Sequence, residues 1–392
     1  MSDAPVPAIE GACDARFEGV REAFARNFSE SGDIGASVAL ALHGEIVVDL
    51  WAGHVDRERT QPWERDTVVL IYSSTKGVVA LAAHMLADRG LIDFEAPVAD
   101  VWPEFAQAGK ETLPLRYVLT HQAGLPAIDE ELPMGAELEW DIMAGALSRQ
   151  APLWEPGEKQ GYHAATFGWL VGEVIRRVDG RSVGTFIREE IAGPLGVDFL
   201  LGFGPEEDHR VSDLHLAQVP AEELPSLAAA ALLDPKSLAA RSFNIAPRGP
   251  NKGRNSRAYR GSEQPGSNGH SNARALATIY GALGNGGEWQ GQHLLSEASI
   301  RRAGTEQTQG RDIILQTPVR RTLGYMMPVP AVPDPRGENA FGHAGMGGSL
   351  GFCDPDAGLG FGYAMNQMWT NTLDQDDPRA ARLMRAVYES LG

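Results

Sequence analysis

The spacing of apolar residues divides the chain into regions of different character. Over residues 14–30 apolar side chains recur every three or four positions, which predicts an amphipathic helix. Residues 36–53 read as two short apolar strands with His43-Gly44 between them, a pattern typical of a hairpin with His43 as a turn residue. Near the other end the pattern returns to strands, at residues 323–329, 341–346, 349–353 and 359–366.

Between these regions the pattern is helical, with helices predicted at residues 166–178, 183–191 and 272–283. Polar, Gly- and Pro-rich stretches at 204–225 and 242–270 indicate loops, and a last helix begins at Asp377 and Pro378. The simplest arrangement is an α+β fold, with an antiparallel β-sheet flanked by N- and C-terminal helices. We expect residues 1–80 and 275–392 to form this α/β domain, residues 81–274 an inserted, mostly helical domain, and the active site to lie between them.

Composition narrows the class of protein. The net charge of −18 argues against nucleic acid and anionic membranes as partners. No apolar run reaches 18 residues and no basic and apolar leader is visible, so the expectation is a cytoplasmic protein. The two cysteines, Cys13 and Cys353, form no disulfide framework, and no cluster has metal-ligand spacing, so neither a metal nor a cofactor is expected.

The candidate chemistry lies between residues 66 and 90. An apolar, β-branched run at 67–72 predicts a strand, and an Ala/Leu-rich run at 75–89 predicts a helix that Gly90 ends. Ser73 and Lys76 therefore lie on one face where that helix begins, with Cβ atoms roughly 5–6 Å apart. Of five lysines in the chain, only Lys76 has a serine three residues earlier. The alternative is a helix-capping serine beside a solvated lysine.

Several motifs carry a resemblance to a known family. Ser73-Ser-Thr-Lys76 resembles the Ser-x-x-Lys motif of serine β-lactamases and penicillin-binding proteins. Residues 118–125 resemble that superfamily's Leu-Leu-Thr-His-Thr-Ser-Gly-Leu segment, residues 154–162 the stretch that carries its Tyr-x-Asn motif, and residues 193–197 its Pro-Leu-Gly-Met. Phe341-Gly-His-Ala-Gly345 lies where Lys-Thr-Gly is expected. Over residues 30–370 the chain most resembles the family VIII carboxylesterases, which have the class C β-lactamase fold.

The departures from the superfamily pattern bear on the substrate. Tyr162-His163-Ala164 lacks the asparagine of Tyr-x-Asn, and His343-Ala344-Gly345 lacks the lysine of Lys-Thr-Gly. Both lost side chains help to bind amide and carboxylate groups in β-lactamases and peptidases, so the resemblance implies a carboxylesterase acting on short-chain acyl esters, with possible weak β-lactam hydrolysis. The alternatives are a β-lactamase or D-amino-acid peptidase of the same fold, or a non-catalytic penicillin-recognising binding protein.

The resemblance also implies roles for individual residues. Ser73 is expected to attack the ester carbonyl, while Lys76 and Tyr162 move its proton; either of these two could be the general base. The backbone N–H groups of Ser73 and Met346 are expected to bind the oxyanion. The residues expected to line the substrate site are His343, Gly345 and His163.

Other residues offer rival interpretations. Gly347-Gly-Ser349-Leu-Gly351 fits the nucleophile elbow of α/β-hydrolases, but the residues after it predict a turn and a strand rather than the required helix. His343 could serve as the base in a Ser/His pair, and His121 is expected to be a hydrogen-bonded residue at a helix end. The arginines between 241 and 260 form either an anion-binding patch or a solvated basic loop. The expected partner is a small-molecule ester, and the oligomeric state stays open.

Overall fold

The structure is a computed structural model and describes residues 6–216, 234–247, 249, 253–369 and 377–392. Its strands are β1 (Ile9–Cys13), β2 (Gly35–Leu42), β3 (Glu45–Gly53), β4 (Val68–Leu70), β5 (Phe199–Leu200), β6 (Val211–Ser212), β7 (His270–Ser271), β8 (Glu288–Trp289), β9 (Gln292–His293), β10 (Thr308–Arg311), β11 (Pro318–Arg321), β12 (Met326–Met327), β13 (Phe341–Ala344), β14 (Leu350–Asp354) and β15 (Leu359–Met365).

Within the described residues the α-helices are α1 (Glu18–Ser31), α2 (Ser74–Asp88), α3 (Leu115–Leu119), α4 (Trp140–Arg149), α5 (Thr166–Asp179), α6 (Val183–Ile187), α7 (Gly193–Leu195), α8 (Leu238–Phe243), α9 (Arg257–Gly261), α10 (Ala273–Gly284), α11 (Glu297–Gly304) and α12 (Pro378–Leu391). A π-helix at Arg188–Ala192 continues α6.

The large sheet is built from both ends of the chain, which confirms the predicted fold class. Its order is β1-β3-β2-β15-β14-β13-β12-β11-β10, and every neighbouring pair is antiparallel. The predicted hairpin joins β2 to β3, with His43 at a φ of 50° in its turn. The proposed division into domains at residues 80 and 274 stays a prediction.

Helices cover both faces of this sheet. On one face α1 and α12 pack together over a core that includes Phe24, Phe28, Leu383 and Val387. On the other face α10 crosses β15 at very short range: a Cβ atom built on Gly362 would lie 2.1 Å from the carbonyl oxygen of Ala273. Glycine is required in β15 because only the missing side chain lets the helix backbone approach this closely.

Two predicted strands differ from those observed. Residues 323–329 do not form one strand: the chain turns at Gly324, which has a φ of 92°, and only Met326–Met327 pairs with its neighbours. Strand β4, which leads to Ser73, pairs with β6 and β7 in a separate four-stranded sheet rather than with the large one. The pattern of residues indicates that a segment is extended but does not determine which strand it pairs with.

The two predicted loops contain short elements. Residues 205–210 form a 3₁₀-helix, and α8 begins at Leu238, upstream of the 242–270 stretch that contains α9 and β7. Residues 217–225 and Arg248, on which part of these predictions falls, lie outside the described residues. Arg241 pairs with Asp129, while Arg257 and Arg260 both pair with Asp208. These three arginines therefore already have protein carboxylates as partners.

No helix within the described part of the chain combines the length and the apolar character needed to cross a bilayer.

Candidate active site

Ser73 lies at a sharp bend between β4 and α2. Tyr72 directly before it has a φ of 42°, a left-handed conformation that costs energy for a bulky side chain and is typical of functional sites. Ser73 is the N-cap residue of α2, yet its side chain makes no capping hydrogen bond. The helix-cap alternative is therefore wrong, and the Ser73 hydroxyl is left to Lys76.

Lys76 is fully buried, which rules out the solvated alternative. Its Nζ lies 3.2 Å from Ser73 Oγ, 2.7 Å from the carbonyl oxygen of Ala164 and 2.6 Å from that of Gly266. No carboxylate is within salt-bridge distance of this amine in the described structure. Burial holds the pKa of Lys76 well below its ordinary value, because the charged form is poorly solvated there.

Two carbonyl acceptors suit a neutral amine. A neutral lysine has two N–H bonds and one lone pair, so donation to Ala164 and Gly266 uses both hydrogens. As an ammonium Lys76 donates to the Ser73 hydroxyl as well as to the two carbonyls, whereas as a neutral amine it keeps a lone pair to which that hydroxyl can donate. This arrangement can take the proton from a serine nucleophile.

Tyr162 arrives from a distant segment and is fully buried against the same lysine. Lys76 Nζ lies 5.0 Å from the centre of the Tyr162 ring. Burial raises the pKa of the phenol well above its ordinary value, and the neighbouring Ser73 hydroxyl opposes this shift only in part. The phenol hydroxyl faces the Ser73 hydroxyl and makes no other side-chain hydrogen bond among the described residues, so its proton lies beside the candidate nucleophile.

A buried ion pair holds the segment that carries Tyr162. Asp312 Oδ1 accepts hydrogen bonds from the backbone N–H groups of Tyr162, at 3.2 Å, and of Ile314, at 2.8 Å. Its Oδ2 accepts one from Arg321 Nη2 at 2.6 Å, and Arg321 also donates to Gln160 Oε1 at 2.9 Å. Both charged side chains are almost completely excluded from solvent. Nothing in the sequence indicates this pair, because neither residue lies in a recognisable motif.

Met346 and Gly345 lie in the turn from β13 to β14, across the cleft from Ser73. Among the described residues, neither the Ser73 N–H nor the Met346 N–H has an acceptor, so both can donate to a ligand. A Cβ atom on Gly345 would lie 2.2 Å from the carbonyl oxygen of Ile71. Gly345 therefore lets this turn approach the chain just before the serine.

Ser349, the rival nucleophile, is buried under that turn. Its Oγ donates to the Ile71 carbonyl at 2.7 Å and lies 3.1 Å from Ser74 Oγ. The chain continues from it into β14 rather than into a helix. This geometry excludes a nucleophile elbow and gives Ser349 the task of tying two segments of the site together.

The three histidines near Tyr162 are buried and differ in what they can do. The Nε2 of His163 accepts from the Leu125 N–H at 3.0 Å and its Nδ1 lies 2.7 Å from the Gly161 carbonyl, so neither nitrogen is left for a substrate. His121 Nδ1 accepts from the His163 N–H at 3.1 Å, and its ring packs on Tyr162. The expectation that His163 lines the substrate site therefore does not match its position, and His121 supports the tyrosine instead.

His343 keeps one nitrogen free. Its Nδ1 lies 2.7 Å from the Ala344 carbonyl, which fixes the proton there, and its Nε2 has no partner among the described residues. Burial and the nearby Lys76 lower the pKa of His343 to about 3, so the ring is neutral at physiological pH. It is thus an acceptor, 6.2 Å from the Tyr162 ring centre to centre.

A small cavity lies beside Ser73 and Met346. Its volume is about 60 Å³, and aromatic and apolar side chains form much of its wall, with Tyr72, Ala164, Trp169, Phe243 and Ile245 among them. Neither His343 nor His163 borders it. Among the described residues, no group of histidine, cysteine and acidic side chains is arranged to hold a metal ion.

Comparison with known proteins gives a consistent picture. A family model described as Beta-lactamase matches residues 24–386. Esterase/beta-lactamase LipL of Mycobacterium tuberculosis is 38% identical over 92% of this chain and 83% of that protein. A crystal structure of a novel penicillin-binding protein homolog from Caulobacter crescentus superposes with a TM-score of 0.87 at 39% identity, covering 98% of this chain and 100% of that one. The structure of a family VIII carboxylesterase superposes with a TM-score of 0.85 at 40% identity and the same coverage.

Proposed function

The chain belongs to the beta-lactamase family, and from that premise we propose that it hydrolyses carboxylic esters through an acyl-enzyme formed on Ser73. Its similarity to proteins named as esterases, together with its similarity to a family VIII carboxylesterase structure, makes it a serine ester hydrolase. The observation that carries the assignment of residues is the buried Lys76 amine, 3.2 Å from the Ser73 hydroxyl and bound to two carbonyl oxygens.

In this mechanism Lys76 is the general base for acylation. Burial lowers the pKa of Lys76 and raises that of Tyr162, and both shifts favour an amine and a phenol over an ammonium and a phenolate. The Ser73 proton passes to Lys76 Nζ as Oγ forms its bond to the ester carbonyl carbon. The carbonyl oxygen, now negative, accepts hydrogen bonds from the N–H groups of Ser73 and Met346.

Tyr162 acts on the leaving group. As the bond from the carbonyl carbon to the alkoxide breaks, the phenol gives its proton to the alkoxide oxygen and recovers one from Lys76. A water molecule then attacks the acyl-enzyme, its proton passes to the same pair, and Ser73 Oγ takes a proton as the carboxylic acid leaves. Protons and charges balance over the cycle.

Short acyl groups fit the site best. A cavity of about 60 Å³ beside Ser73 has room for only a few heavy atoms, far less than the pockets that enclose larger ligands. We place the protein in the cytoplasm, where its two free thiols would stay reduced, and we assign it a small-molecule ester rather than a nucleic acid as its partner. Turnover of a p-nitrophenyl ester series should fall steadily from acetate and butyrate to octanoate.

Replacement of the nucleophile tests the function directly. Ser73→Ala should be folded, with an unchanged melting temperature, and should hydrolyse p-nitrophenyl acetate no faster than the buffer does. A matched control is Ser349→Ala, which removes the rival serine and should keep its activity within a few fold while losing some stability. Retained activity in the Ser73 variant would contradict the proposed mechanism.

A β-lactamase or a binding protein of the same fold would respond differently. A β-lactamase would turn over nitrocefin far faster than p-nitrophenyl acetate, whereas a binding protein would release one equivalent of product and then stop. Position 343 carries a neutral histidine instead of a cationic side chain. This favours an ester as substrate, because a neutral histidine cannot form an ion pair with the carboxylate of a β-lactam.

A further inference from the structure

The turn that carries Met346 is closed by the Gly345 N–H, which donates to the Ser349 carbonyl at 2.7 Å, but among the described residues the Gly347 carbonyl finds no partner inside the turn. It joins β13 to β14, and two glycines within it, Gly347 and Gly348, have φ values of 86° and 124°. Glycine adopts these angles without strain, but it also leaves them easily. Within the turn itself, the Gly348 N–H donates to the Gly345 carbonyl at 3.1 Å. A donor that has to bind an oxyanion at 2.7–3.1 Å therefore needs support from outside the turn.

That support comes from a buried arginine at the far end of the sequence. Arg379 lies in the first turn of α12 and is completely buried. Its Nη2 donates to the Gly347 carbonyl at 2.7 Å, and the Trp369 N–H donates to the same oxygen at 2.9 Å. Two donors thus hold the carbonyl of Gly347, the residue that follows Met346.

The remaining donors of Arg379 tie it to a rigid frame. Nη1 donates to Asp33 Oδ1 at 2.6 Å, and Nη2 and Nε donate to Asp377 at 2.7 and 3.0 Å. The hydroxyl of Tyr363, in the middle of the large sheet, donates to Asp33 Oδ2 at 2.6 Å. The Arg379 fork is planar and its side chain is bound at every nitrogen, so the atom that meets Gly347 has a fixed position.

We propose that Arg379 is a positioning residue for ester hydrolysis: it holds the glycine turn so that the Met346 N–H faces the oxyanion. The inference rests on the proposed function, because it concerns the same oxyanion site. If Arg379 only joined α12 to the sheet, its replacement would lower stability. If it also positions the Met346 N–H, its replacement should in addition weaken binding of the oxyanion.

The experiment compares an ester with its thionoester, in which sulfur replaces the carbonyl oxygen. Sulfur is larger and a weaker acceptor, so a well-placed oxyanion site favours the oxygen ester and a displaced one loses that preference. A variant that is only partly folded loses both activities equally, so the ratio of the two kcat/KM values reports the geometry of the site rather than the amount of folded enzyme.

Arg379→Lys keeps the buried positive charge but loses the fork that reaches Gly347. Removal of one oxyanion donor typically lowers kcat about 10²–10³-fold, so displacement of the Met346 N–H in this variant should lower kcat roughly 10–100-fold with KM little changed. The ratio of kcat/KM for the oxygen ester to that for the thionoester should fall about tenfold. Tyr363→Phe is the matched control: it breaks the same network at Asp33, should lower the melting temperature, and should leave the ratio within about twofold of wild type.

If Arg379→Lys does not fold, the double variant Asp33→Asn/Arg379→Gln is tested instead, because it removes one buried charge of each sign. We expect the same tenfold fall in the ratio of oxygen ester to thionoester. A wild-type ratio in the folded arginine variant, with Ser73→Ala inert, would overturn the role of Arg379 and leave the proposed function standing. Esterase activity in Ser73→Ala would overturn the proposed function itself.

Discussion

At the scale of single residues, the chemistry depends on which of two groups carries a proton. Lys76 and Tyr162 are both fully buried, and burial acts on them in opposite directions along the pH axis: it lowers the pKa of the amine and raises that of the phenol. Both shifts favour the neutral form of the group. They support our proposal of Lys76 as the base, because a neutral amine has a lone pair to offer, whereas a neutral phenol has a proton.

The contacts of the Tyr162 hydroxyl allow its proposed catalytic role to be separated from a structural one. Because the phenol hydroxyl faces only the Ser73 hydroxyl and makes no other side-chain hydrogen bond among the described residues, Tyr162→Phe should unfold at the wild-type temperature within about 2 °C, while kcat falls by roughly 10²–10⁴-fold. Thermal unfolding and p-nitrophenyl acetate kinetics on the same preparation check both halves. A loss of stability that accounts for the loss of activity would argue against the proposed proton transfer.

The buried amine should also make stability depend on pH. Because the pKa of Lys76 is lower in the folded chain than its ordinary value of 10.5, the unfolded chain binds more protons between those two values. The free energy of unfolding should therefore rise with pH across that window and become independent of this group only above pH 10.5. At pH values below the folded pKa the cost of burying the amine is greatest.

Lys76→Met isolates this contribution. The difference in unfolding free energy, wild type minus variant, should increase by up to about 1.4 kcal/mol for each pH unit as the pH rises from 7 towards 10. Urea unfolding of both proteins at pH 7, 8, 9 and 10 measures it, and all other titrating groups cancel in the difference. Parallel curves for the two proteins would mean that Lys76 keeps an ordinary pKa.

At the scale of secondary structure, a close backbone contact, similar to that between α10 and β15, also helps to hold the site together. Gly168 on α5 lies against the segment that contains Gly266, whose carbonyl accepts from Lys76. A Cβ atom built on Gly168 would lie 2.1 Å from the backbone nitrogen of Gly266. Since the obstacle is backbone rather than a flexible side chain, one of the two segments would have to move.

Gly168→Ala should therefore cost activity although it changes no residue of the site. Displacement of Gly266 removes one of the two carbonyls that orient the Lys76 amine, and kcat should fall at least tenfold, with a lower melting temperature. Gly145→Ala in α4 is the control, because its new Cβ atom would come no closer than 3.4 Å to the flexible end of Arg149. That variant should keep full activity and gain about 0.5–1 kcal/mol of stability.

At the scale of the whole molecule, residues from distant parts of the chain meet at the candidate active site. The first third supplies Ser73 and Lys76, the middle supplies Tyr162, and the last quarter supplies Met346 and, behind it, Arg379. The chain termini are packed on each other through α1 and α12, where Arg382 bonds to Asn27 at 2.6 Å. The fold is thus what brings three distant segments together at the candidate active site, with Arg379 behind the third.

The net charge of −18 belongs to this scale too, because an excess of negative charge repels an anionic substrate at long range. An ester whose acyl chain ends in a carboxylate should have a higher KM than its neutral methyl-ester analogue at 10 mM salt. Its KM should fall severalfold at 300 mM salt, where the Debye length is only about 6 Å, while that of the neutral analogue stays within about twofold. Equal salt dependence of KM for both esters would show that the net charge of the protein does not affect binding of the anionic ester.

Short-range features are those that the sequence determined. The amphipathic helix, the hairpin at His43-Gly44, the cap of the last helix at Asp377 and the shared face of Ser73 and Lys76 depend on residues within four positions of each other. Backbone geometry fixes such spacings, so periodicity and motif suffice to predict them. The motifs also led to the family, whose fold the structure confirms.

Only the tertiary structure decided what depends on packing. It chose β6 and β7 as the partners of β4, buried Ser349 under a turn, enclosed both nitrogens of His163, and brought Asp312 and Arg321 beneath Tyr162. It also lowers the pKa of Lys76, because desolvation depends on every segment that covers the amine and not on its neighbours in the chain. A candidate nucleophile can thus be found from its spacing, whereas the choice of its proposed base depends on how the core closes around the amine.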